Sequence, residues 1–307
     1  MYKSKFLLFG QKLIERGAWY FAPFSWIYAL AIFCRNQLYD WKWLPIHSVN
    51  ATVVSVGNIV AGGTGKTPLV HLLAKIFSHR KVAILSRGYG DIPDEPMLLA
   101  RHLPKVKVYV GKDRVALARE AVADGAELLI LDDGFQHRRL YRDFDLVLVR
   151  NKKEHYLPWG FLRDSPKRLV KADAIFAQEN PLSHQILVKK KVTRILDKQE
   201  NEIPSIRGWK VGIFCGLANP DSFKKTVVDL GAEIVAEWIF ADHEVADISK
   251  LLNVRALVCT EKDFVKLPPN DLPIFFVEIE MEVVDSCGLW QKLVEKIDQK
   301  IDNRHTL

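Results

Sequence analysis

Residues 57–67 read GNIVAGGTGKT and follow directly on the apolar run Thr52-Val53-Val54-Ser55-Val56. No other stretch constrains the fold as strongly, because a glycine-rich turn set between an apolar strand and a helical pattern belongs to a β-loop-α unit of a parallel sheet. The same residues carry a chemical signal. Gly62, Gly63 and Gly65 let backbone N–H groups curl around phosphate oxygens, Lys66 neutralises charge on a triphosphate, and the Thr67 hydroxyl is placed to ligate Mg²⁺, with Thr64 completing the turn. The strict spelling G-x-x-x-x-G-K-[ST] is missed at Val60, so this is a variant phosphate loop.

The rest of the chain alternates in the same way. Strands are expected at 52–56, 81–86, 106–110, 127–131 and 145–149, with helices at 67–77, 96–101 and 114–123. Near-continuous apolar strands of this kind belong to a sheet covered on both faces. Residues 174–177 read as one more strand, at the sheet's edge, and the polar run 178–207, with the solvated triplet Lys189, Lys190 and Lys191, reads as the passage to a second lobe. That lobe repeats the alternation with strands at 210–215, 234–240, 256–260 and 274–278, helices at 221–230 and 248–252, and a closing helix over 289–301. A chain of 307 residues suits two cores. The expected fold class is α/β: a P-loop NTPase-like parallel sheet core over 48–190, a smaller α/β lobe over 191–307, and an N-terminal segment over 1–47 that belongs to the first lobe and contacts a membrane.

That last expectation rests on Gly17 to Cys34, an uncharged stretch bracketed by Arg16 and Arg35. Eighteen residues is the lower limit for a span, and Pro23 interrupts them. Half of the eight tryptophans, Trp19, Trp26, Trp41 and Trp43, fall within residues 1–47 beside Lys3, Lys5, Lys12 and Arg16, the composition of a helix lying in the headgroup layer. A net charge of +7 suits an anionic partner without choosing one. Cys34, Cys215, Cys259 and Cys287 lack metal-ligand spacing and are read as buried apolar residues of a reducing compartment.

A second acidic station must accompany the phosphate loop, and Asp132 and Asp133, at the end of the apolar run 127–131, match the Walker B arrangement. Polar clusters close the other strands or open the next helices: SRGYG at 86–90, Asp94-Glu95-Pro96, Gly111-Lys112-Asp113-Arg114, DDGFQHRR at 132–139, Leu162-Arg163-Asp164, Asp242-His243-Glu244 and Thr260-Glu261-Lys262-Asp263. A guanine-specific switch needs [NT]-K-x-D, and the lysine of residues 260–263 is displaced by one. A partitioning ATPase starts its loop with lysine, where Ala61 stands here. A nucleic-acid enzyme would need an aromatic and basic stacking surface outside the N-terminal segment.

In this order, GGTGKTP, SRGYG, DEP, GKDR, DDGFQHRRLYRD, the Leu-Arg-acidic loop, DHE and TEKD closely resemble the tetraacyldisaccharide 4′-kinase family of the lipid A pathway, over nearly the whole chain. The resemblance implies transfer of the ATP γ-phosphoryl to the 4′-hydroxyl of a tetraacylated disaccharide 1-phosphate, by a monomeric, peripheral protein at the cytoplasmic face of the bacterial inner membrane. The partners it implies are this lipid A disaccharide precursor and an anionic membrane surface, with no nucleic acid, and the cofactors are ATP and Mg²⁺. It places the catalytic base on Asp94, the histidine that partners it on His243, and the γ-phosphate arginine on Arg114. Thr67, Asp132 and Asp133 become the metal site, Gln136 and Tyr89 nearby contacts, and Arg163 and Asp164 a pair closing the site, Asp164 standing where the family more often has glutamate.

Overall fold

The computed structural model describes residues 19–62, 65–88, 94–152, 154–216, 220–240, 256–268 and 270–305. The described residues of 11–88, 99–189 and 281–307 form one compact unit, and those of 89–98 and 190–280 a smaller one. In the larger unit, β1 (Thr52–Asn58), β2 (Val82–Ser86) and β4 (Leu128–Asp132) are buried at every residue, as expected of strands covered on both faces. β3 (Lys107–Val110) buries only Tyr109, and it forms the edge. With β5 (Phe144–Val149), β6 (Ala174–Ala177) and the start of β7 (Ile186–Asp197), the order is β3-β2-β4-β1-β5-β6-β7, and these neighbours pair in parallel. The result is the parallel α/β sheet that the strand-loop-helix reading implies.

Helices cover the sheet. α1 (Ala22–Asp40) carries Pro23 in its first turn, where a missing N–H costs nothing, so proline starts this helix instead of interrupting it. α2 (Lys66–Ile76) buries Leu69, Val70, Leu73 and Ala74 along one face, and α3 (Asp94–His102) follows β2. α4 (Arg114–Ala123) is capped by Asp113, whose carboxylate accepts from Val115 N at 3.0 Å and Ala116 N at 3.2 Å. No helix among the described residues is long and apolar enough to cross a membrane.

The smaller unit is built from β8 (Lys210–Cys215), α5 (Pro220–Asp229), β9 (Glu233–Ile239), β10 (Leu257–Thr260), α6 (Glu261–Phe264) and β11 (Ile274–Val284), with strand order β11-β10-β8-β9, again in parallel pairs. Ile213, Phe223, Val227 and Val258 fill one face of this sheet and Phe214, Leu257 and Phe276 the other. The helix expected at 248–252 lies outside the described residues.

Three expectations need revision. Residues 174–177 are not an edge strand, since β6 pairs with β5 on one side and β7 on the other. The polar run 178–207 contains β7, a strand of 12 residues; its lysine triplet is exposed, as expected, yet lies inside the strand and hid it. Cys34 and Cys287 are exposed, whereas Cys215 and Cys259 are buried.

The last helix, α7 (Leu289–His305), closes the larger unit although it follows the smaller one in sequence. Leu293, Ile297 and Ile301 join Leu146, Leu148 and Phe176 in one core. Arg304 fastens its end. The guanidinium donates to Val49 O at 3.0 Å, to Ala51 O, and to Asp143 Oδ1 at 2.8 Å, while Asp143 Oδ2 accepts from Val53 N at 2.9 Å. The Asp143 side chain is 2% exposed. Its removal leaves a backbone donor and a guanidinium without their acceptor, a loss of about 2 kcal/mol after allowing for the partly solvated arginine. Asp143→Ala should therefore lower the denaturant midpoint clearly, while Lys300→Ala, 3.8 Å from the same carboxylate but half exposed, should change stability by less than about 0.5 kcal/mol. Equal effects of the two substitutions would show that the clamp is not what holds α7.

Candidate active site

β1 ends in a loop that only glycine can follow. Gly62 and Gly65 have φ of +100° and +78°, and a Cβ on Gly65 would stand 2.5 Å from Gln178 Nε2. Gly63 and Thr64 lie outside the described residues. α2 then starts at Lys66 with Gly65 as its N-cap and no side chain capping it, which leaves its first N–H groups to a ligand. Thr67, in the first turn, is buried.

β4 lies next to β1 with Val56 opposite Asp132, and this register brings the Walker B carboxylates to the phosphate loop. Asp132 is buried and accepts from Ser86 Oγ at 3.4 Å. Asp133 takes a left-handed backbone, φ +58°, a conformation that aspartate tolerates better than most residues. Its Oδ1 lies 3.6 Å from Lys66 Nζ. Arg163 grips the same carboxylate with both terminal nitrogens, Nη1 to Oδ2 at 2.9 Å and Nη2 to Oδ1, and reaches Asn58 Oδ1 as well. Behind this group the chain packs tightly: a Cβ on Gly57 would stand 2.4 Å from Phe135 Cβ, so the DDGFQH loop rests directly on β1.

The remaining site candidates divide by place. Gln136 Nε2 donates to Asn58 O at 2.7 Å, which ties it to the end of β1. Arg114 is buried at the start of α4 and donates to Gly111 O at 2.8 Å. His137 has its pKa pushed down to about 4, first by burial and then by the cations of Arg114, Arg142 and Arg139, so it is neutral at pH 7. Asp94 is the first residue of α3. Tyr89 and His243 lie outside the described residues.

Asp164 departs from its expected place. Its side chain is wholly buried, and it turns away from the phosphate loop to meet Arg168 Nη1, Arg35 Nη2 at 3.5 Å, Asn36 Nδ2 at 3.0 Å and its neighbour's Ser165 N at 2.8 Å. A carboxylate so enclosed cannot close over a nucleotide; it anchors α1. Two more contacts complete the anchor, Ser25 Oγ to Tyr156 O at 2.6 Å and Tyr28 OH to Arg163 O at 3.2 Å. Arg168 stacks 4.2 Å from the Phe135 ring and donates to Phe135 O at 3.1 Å. Asn58 lies within the 57–67 stretch that leads into the phosphate loop and could have been singled out; Asn36 and Arg168 carry no sequence signal of their own.

Thr67, Asp132 and Asp133 offer hard oxygen donors beside an uncapped helix start and a lysine, a donor set suited to Mg²⁺ and a triphosphate. Comparison with known proteins agrees with this chemistry. The family described as tetraacyldisaccharide-1-P 4′-kinase matches residues 17–298. The tetraacyldisaccharide 4′-kinase of Chlamydia abortus is 34% identical, over 90% of this chain and 89% of its own length, and that of Syntrophus aciditrophicus is 33% identical, over 85% and 88%. A crystal structure of LpxK from Aquifex aeolicus in complex with ATP superposes with a TM-score of 0.78 at 31% identity, covering 92% of this chain and 98% of that one. With the motifs, the phosphate-loop geometry and these relatives in agreement, the chain belongs to the tetraacyldisaccharide-1-P 4′-kinase family.

Proposed function

We propose that this protein transfers the γ-phosphoryl group of ATP to the 4′-hydroxyl of a tetraacyldisaccharide 1-phosphate, yielding the 1,4′-bisphosphate, as a monomeric peripheral enzyme at the cytoplasmic face of the inner membrane. The observation that carries it is the joining of Lys66, Asp133 and Arg163 at the mouth of an uncapped helix, beside Asp132. Bound with ATP, Mg²⁺ supplies charge neutralisation on the transferring phosphate. Thr67 and Asp132 would hold it, and Asp133 completes the set while Arg163 fixes its orientation. Phosphoryl transfer passes through a loose transition state, so the protein's task is positioning and electrostatics. Lys66 offsets negative charge on the β- and γ-phosphates, and Arg114 adds positive potential from the start of α4. Asp94 orients the acceptor hydroxyl and takes its proton late, with His243 as its partner. In this reading residues 48–190 hold the nucleotide, residues 191–307 supply His243, and residues 1–47 meet the lipid surface.

The membrane role is supported by how α1 is dressed. Its inward residues are Ser25, Ile32 and Asn36, two of the three polar, whereas Phe24, Trp26, Ile27, Leu30 and Phe33 face outward, with Trp26 70% and Leu30 61% exposed. Trp19, Trp41 and Trp43 extend this apolar surface at both ends of the helix. Five large apolar side chains displayed on one helix are stable in water only at a cost that an interface removes, at about 25 cal/mol per Å².

Two experiments test the reading. With γ-labelled ATP and the tetraacyl disaccharide 1-phosphate in micelles, label should appear in the lipid; Asp94→Ala should lower kcat by about 10²–10⁴ with ATP affinity kept, and Lys66→Ala should impair both. Label released only as inorganic phosphate would point instead to an NTPase switch. On vesicles with anionic lipid, the double substitution Trp26→Glu and Leu30→Glu should weaken sedimentation at least about tenfold, and unchanged sedimentation would remove α1 from the membrane role.

A further inference from the structure

A cleft of about 1040 Å³ opens in the larger unit along β5. It exists because the described residues of the connection from β5 to β6, within 150–173, include no α-helix. Side chains alternate along β5: Leu146 and Leu148 enter the core beneath α7, while Val147 and Val149 face the opposite side, where loop and a 3-10 turn bury Val147 and leave Val149 at the cleft wall. Val149, Leu162, Leu169 and Ile175 give the cleft an apolar wall.

The two ends differ. At one, Val60 and Arg150 line the cleft, and Arg150 Nη2 lies 3.8 Å from where a Cβ on Gly62 would stand, so this end abuts the phosphate loop. Lys152 adds a second cation, which Glu154 on the same loop partly offsets. At the other end is Asp173, whose carboxyl is pushed up by burial and accepts from Asp145 N at 2.8 Å. Asp145 lies in β5 and Arg150 directly follows its last residue, five positions on, about 16 Å at roughly 3.3 Å per residue. The cleft is thus cationic beside the phosphate loop and apolar for the reach of one extended, medium-length acyl chain. The loop along it also receives α1, through Ser25 Oγ on Tyr156 O and the Tyr28 ring 6.5 Å from that of Tyr156.

We propose that this cleft receives one acyl chain of the lipid acceptor, with the lipid's polar head toward Arg150 and Lys152. The proposal rests on the lipid-kinase reading above. The chain would leave the bilayer at the outward face of α1 and lie along β5, which brings the head it carries to the phosphate loop. Arg150 favours the anionic end, and the wall of Val149, Leu169 and Ile175 favours the chain.

The direct test is calorimetric titration of the full-length protein with alkyl phosphates below their micellar concentrations. Affinity should tighten at least tenfold from butyl to dodecyl phosphate. Ile175→Trp, which fills the cleft, should weaken dodecyl phosphate at least tenfold and leave ATP affinity unchanged, and Arg150→Gln should weaken it less and reduce its salt dependence. In the lipid assay Ile175→Trp should raise KM for the tetraacyl acceptor and leave KM for ATP unchanged. Affinity independent of chain length, or dodecyl phosphate binding equally to wild type and Ile175→Trp, overturns the cleft assignment even if lipid is phosphorylated. Wild type that binds dodecyl phosphate in the cleft yet never labels lipid overturns the kinase reading instead. The chain-length series uses wild type alone and so does not depend on the variant folding.

Discussion

Arg163 and Asp164 are consecutive residues whose side chains serve opposite sides of the same backbone, and both of their N–H groups donate to Ile59 O, at 2.9 and 3.3 Å, just past β1. Arg163 faces the phosphate loop and holds Asp133 and Asn58. Asp164 faces away and is fully buried. A buried carboxylate is tolerated only when paired and hydrogen-bonded, and two of its partners, Arg35 and Asn36, come from α1. The helix must therefore turn its polar positions inward. Phe24, Trp26, Leu30 and Phe33 are left outside as a consequence, which inverts the usual rule for a surface helix. One dipeptide thereby sets both the Asp133 carboxylate beside the phosphate loop and the orientation of the apolar surface.

The electrostatics of the nucleotide side follow the same logic. Lys66 and Arg163 converge on Asp133, so one carboxylate restrains two cations until a polyanion competes for them. His137 is kept neutral by burial among arginines, so its imidazole adds no charge to the DDGFQH loop at neutral pH.

Much of this was legible in the order of residues. The strand-loop-helix at 52–77 and the carboxylates after 131 announce themselves because glycine, lysine and aspartate are confined there by backbone geometry and charge, and β1 and β4 need only pair for the site to assemble. β7 was hidden, since its lysines are polar at positions where alternation predicts apolar residues, and the pairing that makes it a strand is tertiary. β6 looked like an edge for want of the same strand. Cys34 read as buried because apolar neighbours ordinarily mean burial, whereas α1 shows those neighbours to the outside.

The sequence by itself determined the phosphate loop, the Asp132-Asp133 pair beside it and the family, because these depend on residue types that must be adjacent or at the ends of recognisable strands. The tertiary structure alone decided that Asp164 serves α1 instead of the nucleotide, that α7 returns to the first sheet through Arg304, and that the described residues between β5 and β6, which include no α-helix, leave a cleft beside the phosphate loop. The reason is physical: chain order encodes local geometry, but whether a charged side chain is buried, and against which partner, is decided only when residues more than a hundred positions apart are brought into contact.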